Sequence, residues 1–380
     1  MRVLLVTLTD QLSGALSILN PELEYCAIVV DEVEPAKKIL ERVGLPRDLL
    51  HPFYELRELS GIYYYDALIC VHDGRTYKIF PKKILKYGVP KNKFIDLFMA
   101  TTHEYFLLER ALQYFKERAA EFEMFATGLS HTTMSLDVTR FKRKLFNFAR
   151  GGQDLYYDFQ IAKRAVLYGG GHSKLRYALI GLASGTFHED RSLMQSENWR
   201  LAQYAISFGD LHNFWMPAEE YLKLFNAAYL SARLPTEPLD RNNVYLERPS
   251  RQFMTWVERL NMLDVIAPWD NKEYPATRAE NVKILDEYLT LCEENDIRPI
   301  MFLPPQTEVY RKYFNKKLLD EFYYLIGQAC KKYPSAIFID GWKLHGVTDA
   351  DFYDVWHMNI YGAAKFSTVL NNFIEQLERR

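Results

Sequence analysis

The sequence predicts an α/β protein with two domains, and three observations lead to this prediction. The chain has 380 residues, which is more than one ordinary domain usually contains. Short, almost continuously apolar segments recur along it, as in parallel strands that are buried on both faces. Segments with helical periodicity lie between these strands. This alternation favours parallel sheets covered by helices in three layers.

The composition narrows the classes of function. Hydrophobic residues make up 48% and charged residues 25%, which is typical of a globular chain and excludes a wholly disordered one. Lys and Arg number 47 against 49 for Asp and Glu, so the chain lacks the basic field that attracts nucleic acid. The longest apolar runs fall short of the ~18 residues of a membrane span, and polar residues interrupt the N-terminal run. We therefore expect a chain with no membrane span and no signal peptide.

Cysteine and histidine spacing gives no sign of a disulfide or metal site. The four cysteines are far apart in the sequence, without a C-x-x-C pair: Cys26, Cys70, Cys292 and Cys330. Such spacing predicts reduced thiols in a cytoplasmic protein. The nine histidines form no H-x-x-x-H pair. We predict neither a metal nor another cofactor.

The first domain is predicted over residues 1–99. Its predicted strands and helices are strands at 2–8, 25–30, 66–71 and 93–97, and helices at 33–43 and 79–88. A phosphate site would need a glycine-rich turn after the first strand, and Gly14 is the one glycine there. We predict a Rossmann-like docking or scaffold domain and keep a sugar-nucleotide pocket as the alternative. Residues 100–120 have an apolar stripe at helical spacing and predict a linker helix.

The second domain is predicted over residues 121–380. Its strands are predicted at 123–127, 144–148, 176–182, 298–303 and 336–339. In a parallel sheet, functional residues collect in loops at the carboxyl ends of the strands. The first of these loops contains Gly128-Leu129-Ser130, in which Ser130 either caps the next helix or stands at a helix N-terminus that could stabilise nearby negative charge. The second contains Gly151 and Gly152, which either let their amides approach a ligand oxygen or simply form a loop turn.

The last loop contains Asp354 and His357, just before a terminal helix that Asn359 is expected to cap. A carboxylate three residues ahead of an imidazole can accept its Nδ1–H and leave Nε2 free as a base. His131 follows Ser130, and we expect its helical position to direct it away from this chemistry.

The loops just described lie in three sequence segments, ATGLSHT, FNFARGGQDLYYDF and FYDVWHMNIYGAAKF. Together these segments resemble the SGNH (GDSL-like) hydrolase superfamily over about residues 120–380. More narrowly, the chain resembles the D-alanyl-transfer and exopolysaccharide acetyl-transfer branch. Residues 65–95 likewise resemble a Rossmann-like module of bacterial surface-glycan modification proteins. The resemblance implies a flavodoxin-like three-layer domain with Ser130 as nucleophile, His357 as base and Asp354 as its carboxylate partner.

The resemblance also implies an oxyanion hole, from the amides of Ser130 and Gly152, with Gly151 as the fallback. The chain departs from the family at its third block, because the usual Gly-x-Asn is absent after the third strand. Ser184, or the amides of Gly185 and Thr186, would have to replace that donor. Losing one such donor costs about 10²–10³ in rate, so the alternative is a weak or inactive protein.

The predicted function is a serine esterase or O-acyltransferase that acts on O-acyl groups of carbohydrates or surface-glycan precursors. One alternative is a non-catalytic glycan-binding or assembly protein on an SGNH scaffold. The other is a nucleotide-sugar-dependent enzyme that uses the N-terminal domain.

An aromatic-rich helical insertion is predicted at about 187–296. It either caps the serine or forms an extra core layer or a homo-oligomer surface. Its helices are predicted at 217–233, 252–261 and 277–295, the last opening with a Thr277–Glu280 capping box.

Overall fold

The computed structural model describes residues 1–73, 80–98, 105–169, 174–233 and 272–379, together with the single positions 258 and 261. The chain divides into two units, the first formed by Met1–Arg110 with Arg191–Glu237 and the second by Ala111–Asp190 with Pro238–Arg380. Each unit contains a five-stranded sheet in which all strand pairs are parallel. The predicted α/β class is therefore confirmed.

The first sheet has the strand order β3-β2-β1-β4-β5. Its strands are β1 Arg2–Val6, β2 Glu24–Val30, β3 Leu50–Pro52, β4 Ala67–His72 and β5 Phe94–Phe98. The four predicted strands are all present, and β3 is additional. It has three residues and ends in proline, so it carries no apolar run, and it pairs only with β2 at the edge of the sheet.

The helices of the first unit before residue 98 are short. They are Leu12–Ile18, Val33–Val43, Leu56–Ile62 and Phe80–Leu85. Val33–Val43 has the predicted bounds and ends at Gly44, whose φ of +74° suits a helix C-terminus. Phe80–Leu85 is shorter than predicted because the chain turns at Gly88, which has φ +82°.

Residues 191–233 fall inside the predicted insertion, yet they belong to the first unit. Asn198 joins them to β5, since its side-chain oxygen accepts the Asp96 amide at 2.7 Å and its Nδ2 donates to the Phe94 carbonyl at 3.1 Å. The Trp199 ring also packs edge-on against Phe98, with centroids 5.2 Å apart. The predicted helix at 252–261 lies outside the described residues, apart from positions 258 and 261.

The predicted helix at 217–233 is wrong in its middle. The structure has Ala202–Phe208, then Ala218–Leu222 and Ala227–Arg233 as separate helices. Between the last two, Phe225 forms an antiparallel bridge with Leu19, and the Asn226 amide donates to the Ile18 carbonyl at 2.8 Å. The Asn226 side chain then accepts the Ala228 amide at 3.0 Å. Tertiary pairing interrupts the helix and Asn226 restarts it.

The second sheet has the strand order β10-β9-β8-β6-β7. Its strands are β6 Met124–Thr127, β7 Leu145–Asn147, β8 Tyr177–Gly181, β9 Arg298–Leu303 and β10 Ile337–Asp340. All five predicted strands are confirmed. Part of the core lies between this sheet and the terminal helix Ile360–Glu378, where Phe302 of β9 meets Phe366 with ring centroids 5.6 Å apart.

The second sheet is covered by helices on its connecting segments. They are Ser130–Ser135, Leu155–Gly169, Pro275–Glu294, Glu308–Tyr313, Lys316–Lys332 and Ile360–Glu378. Leu107–Glu117, within the predicted linker helix, crosses the boundary between the units. The Thr277–Glu280 capping box is wrong, because Pro275 occupies the first helical turn and starts the helix earlier. None of the helices in the described part of the chain combines the length and apolar character needed to cross a bilayer.

Candidate active site

The candidate site lies at the carboxyl edge of the second sheet, where the strand order reverses. From β6 the chain passes to β7 on one side, and β8 pairs with β6 on the other. Such a reversal opens a crevice between the loops that follow the two neighbouring strands. Ser130 is the first residue of the helix that follows β6, so it stands at this crevice.

Three predicted side chains form a continuous hydrogen-bonded chain. The Ser130 hydroxyl lies 2.9 Å from His357 Nε2, and His357 Nδ1 lies 2.7 Å from Asp354 Oδ2. With Nδ1 donating to the carboxylate, Nε2 is the acceptor for the serine proton. Ser130 and His357 are half-buried, whereas Asp354 is only 5% exposed. The arrangement can therefore deprotonate an alcohol that solvent and a ligand can reach.

Asp354 is fixed by its own loop. Its Oδ1 accepts the backbone amides of Trp356 and His357 at 2.8 and 2.7 Å, while Oδ2 accepts the His357 ring proton. Burial alone would raise the pKa of Asp354, but the hydrogen bonds from the His357 ring and the two amides hold this pKa below its ordinary value. The carboxylate is thus kept charged and oriented.

The loop is anchored at the start of the terminal helix by Asn359. Its side-chain oxygen accepts the amides of Tyr361 and Gly362, each at 3.0 Å, so the predicted cap is confirmed. At the other side of the loop, the Tyr353 amide donates to the His357 carbonyl at 2.7 Å.

The turn that carries Ser130 depends on Gly128. Its φ is +139°, and a Cβ there would lie 2.6 Å from the Gly181 carbonyl oxygen and overlap the Thr132 side chain. The helix starts without a side-chain cap, with Leu129 at the N-cap position. The capping role considered for Ser130 is therefore wrong, since its hydroxyl is bonded to His357.

The predicted oxyanion residues lie on the loops next to this turn. Gly152 has φ +73°, and its loop reaches the Ser130 turn through the Arg150 amide, which donates to the Gly128 carbonyl at 2.8 Å. Ser184 is buried in the loop after β8. The hydrogen bonds that join Ser130, His357 and Asp354 do not extend to Ser184 or Gly152. The oxyanion roles of Ser184 and Gly152 therefore remain predictions.

The amide of Thr186 does not fit the substitute role proposed for it. It donates to the Ala183 carbonyl at 3.1 Å, and the Thr186 hydroxyl accepts the Ala183 amide at 2.8 Å. These bonds close a tight turn and use the amide that an oxyanion would need.

The expectation that His131 points away is wrong. Its ring centroid lies 5.6 Å from that of His357 and 6.1 Å from that of Trp356. The Asp354–His357 loop returns beside the first turn of the helix, which sequence spacing alone does not reveal. Trp356 was missed as well, although it immediately precedes the predicted base; it is half-buried and its ring lies 6.5 Å from that of Tyr310.

The first sheet offers no comparable support for a phosphate site at its β1 turn. The amide and the hydroxyl of Thr9 both donate to the Asp31 carboxylate, at 2.7 Å each. Burial opposes this charge, but the Thr9 bonds hold the pKa of Asp31 below its ordinary value. The Thr9 amide and hydroxyl are thus already bonded to a carboxylate and are not free to bind a phosphate.

Comparison with known families finds no model that matches this chain, and comparison with curated proteins finds no match. The chemistry of the site is therefore inferred from its own geometry.

Proposed function

We propose that the protein is a serine esterase or O-acyltransferase of SGNH type. The observation that carries the proposal is the hydrogen-bonded chain from Ser130 through His357 to Asp354. Serine is a weak nucleophile until a base accepts its proton, and this geometry supplies both the base and the group that orients it.

The reaction follows from this chain. His357 Nε2 takes the Ser130 proton as Oγ attacks the ester carbonyl, and Asp354 stabilises the resulting imidazolium. The amides of Ser130 and Gly152 would bind the oxyanion of the tetrahedral intermediate. Its collapse breaks the ester bond, and the imidazolium returns the proton to the leaving alcohol. Water or a sugar hydroxyl then attacks the acyl-serine, giving hydrolysis or transfer.

The strand orders support the finer fold assignment. Renumbered from β6, the second sheet has the order 2-1-3-4-5, which is the flavodoxin-like order. The first sheet has the order 3-2-1-4-5, as in the first five strands of Rossmann-type sheets. Both agree with an SGNH-like domain preceded by a Rossmann-like one.

The substrate class we propose is an O-acylated carbohydrate or surface-glycan precursor. The half-buried rings of Trp356 and His131 flank the base and support this class, because flat amphipathic rings pack well against the apolar face of a sugar. The cluster continues through Tyr310 to the ring of Trp342, 6.1 Å from it.

Fluorophosphonate labelling tests the nucleophile directly. We expect one adduct per chain, found by mass spectrometry in the tryptic peptide Ala119–Arg140, which contains Ser130. The reason is that a serine oxygen activated by a base attacks the phosphorus of the reagent, displaces fluoride and is left as a phosphonyl-serine. Absence of an adduct on folded protein that still binds oligosaccharides would support the non-catalytic alternative, which the missing Gly-x-Asn motivates.

Replacement of Trp356 by alanine tests the substrate class. We expect kcat/KM for an acetylated oligosaccharide to fall by up to about tenfold, since an aromatic contact is worth roughly 0.5–1.5 kcal/mol. Hydrolysis of p-nitrophenyl acetate, which has no sugar ring, should change by less than about threefold. Tyr324→Ala, an exposed aromatic on the helix Lys316–Lys332, is the control. Equal losses on both substrates would remove the argument for a sugar.

A further inference from the structure

Behind the Ser130 turn lies a buried polar cluster formed by Gly128, Gln153 and Asp158, which we name the Asp158 cluster. Asp158 Oδ1 accepts the Gly128 amide at 2.8 Å and Gln153 Nε2 at 2.6 Å. Gln153 Nε2 also donates to the Gly128 carbonyl at 3.2 Å. Gln153 is fully buried and Asp158 is 3% exposed, so these bonds form away from water.

The cluster joins the two loops from which the oxyanion hole is proposed. Gly128 is two residues before Ser130, and Gln153 directly follows Gly152. The Gly128 peptide is held on both sides, its N–H by Asp158 and its carbonyl by Gln153 and by the Arg150 amide at 2.8 Å. Asp158 itself lies on the helix Leu155–Gly169, a rigid element that supports both loops.

The charge state of the cluster suits a neighbour of a developing oxyanion. Burial raises the pKa of Asp158 well above its ordinary value, and the nearby charge of Asp154 raises it further. The hydrogen bonds from Gln153 and the Gly128 amide lower this pKa, but burial outweighs them. The environment favours the neutral carboxylic acid. A shift toward the neutral acid lessens the negative charge near the oxyanion, which would oppose the transition state.

We propose that Asp158, acting through Gln153 and Gly128, is a positioning residue that sets the spacing between the backbone amides of Ser130 and Gly152. This inference rests on the proposed function. An oxyanion hole works only when its donors are already placed for the transition state, so the loops need such a clamp.

The test compares Asp158→Asn with Asp158→Ala in the full chain. Asparagine keeps the Oδ1 acceptor, so we expect kcat for p-nitrophenyl acetate within about threefold of the parent. Alanine removes both bonds to Oδ1, and we expect kcat and the fluorophosphonate inactivation rate to fall about 10–100-fold with KM little changed. If Asp158→Asn keeps the kcat that Asp158→Ala loses, the hydrogen-bond acceptor at this position is required and the negative charge is not.

Gln153→Ala is a second variant, for use where Asp158→Ala folds poorly. It removes the amide that bridges Asp158 and the Gly128 carbonyl and leaves the acid in place. We expect the same loss in kcat. The stability control is Leu370→Ala, a fully buried position on the terminal helix that belongs to the hydrophobic core. It should lower Tm but leave kcat unchanged at temperatures where the variant is folded.

The pH dependence of Tm gives an independent readout. The folded pKa of Asp158 is raised, so the folded protein keeps a proton that the unfolded chain releases above about pH 4. The contribution of Asp158 to parent stability should therefore fall as pH rises above that value, and Asp158→Asn should lack this component. The Tm of the variant relative to the parent should increase with pH.

The outcomes distinguish this inference from the proposed function. If the parent neither labels nor hydrolyses esters, the proposed function fails and the positioning role fails with it. If the parent is active but Asp158→Ala and Gln153→Ala keep its kcat, the positioning role alone is wrong. The positioning role is also wrong if Leu370→Ala, at the same Tm, loses as much kcat as Asp158→Ala and Gln153→Ala do.

Discussion

Replacing Ser130 by alanine is expected to abolish fluorophosphonate labelling and to lower kcat for ester hydrolysis by about 10⁴–10⁶-fold. The change removes the oxygen that lies 2.9 Å from His357 Nε2, so no acyl-enzyme can form. Ser130 is half-buried and does not cap its helix, so the fold should lose less than about 1 kcal/mol. Burst kinetics with p-nitrophenyl acetate and a thermal melt measure the two effects.

The matched control is Ser335→Ala, which should label and hydrolyse like the parent. Ser335 lies just before β10, at the amino edge of the sheet that carries Ser130 at its carboxyl edge. If Ser130→Ala hydrolyses the ester at the parent rate, the nucleophile is another group and the proposed mechanism is wrong.

The strands could be predicted because their signal is local. Parallel strands buried on both faces are nearly continuous apolar runs, and all nine predicted strands are present. The edge strand Leu50–Pro52 carries no such run, since its pairing with β2 depends on where the chain returns. The helix broken at Phe225 was missed for the same reason, because its partner Leu19 lies about 200 positions away.

For the site, the sequence could predict only which residue types lie at the ends of the strands, and not how they are arranged in space. Ser130 and His357 are 227 positions apart, and a family resemblance suggested that they meet. The orientation of His131 and the use of the Thr186 amide within its own turn depend on loop conformation, which no spacing rule specifies.

The Asp158 cluster had no sequence signal at all. An acid in the first turn of a helix is common, and its ordinary role is to interact with the helix N-terminus. Only the tertiary structure places this acid, on the helix Leu155–Gly169, against the Gly128 amide of the turn after β6.

Replacing Asp354 by asparagine should lower kcat by about 10⁴-fold while the fold is retained. Asparagine can still accept the amides of Trp356 and His357 through its oxygen, so the loop should keep its shape. It cannot carry the negative charge that stabilises the imidazolium, and its amide group favours the wrong tautomer of His357. Steady-state kinetics on p-nitrophenyl acetate measure the loss, with Asp320→Asn, an exposed acid on the helix Lys316–Lys332, as control.

The ionisation of Asp354 should make the free energy of unfolding decrease at low pH. Because hydrogen bonds from His357 and two amides outweigh burial, the folded pKa of Asp354 is below its ordinary value of about 3.9. Its ionised form therefore stabilises the fold above that pH, and this contribution is lost as pH falls through the folded pKa. The difference in unfolding free energy between parent and Asp354→Asn should shrink below about pH 4.

A double variant tests whether Asp354 and Ser130 act as one unit. Since Asp354 works only through the proton that His357 takes from Ser130, adding Asp354→Asn to Ser130→Ala should cost little further activity. Two independent losses would instead multiply. Multiplicative losses, or an Asp354→Asn variant as active as the parent, would mean that the observed hydrogen-bonded chain does not carry the reaction.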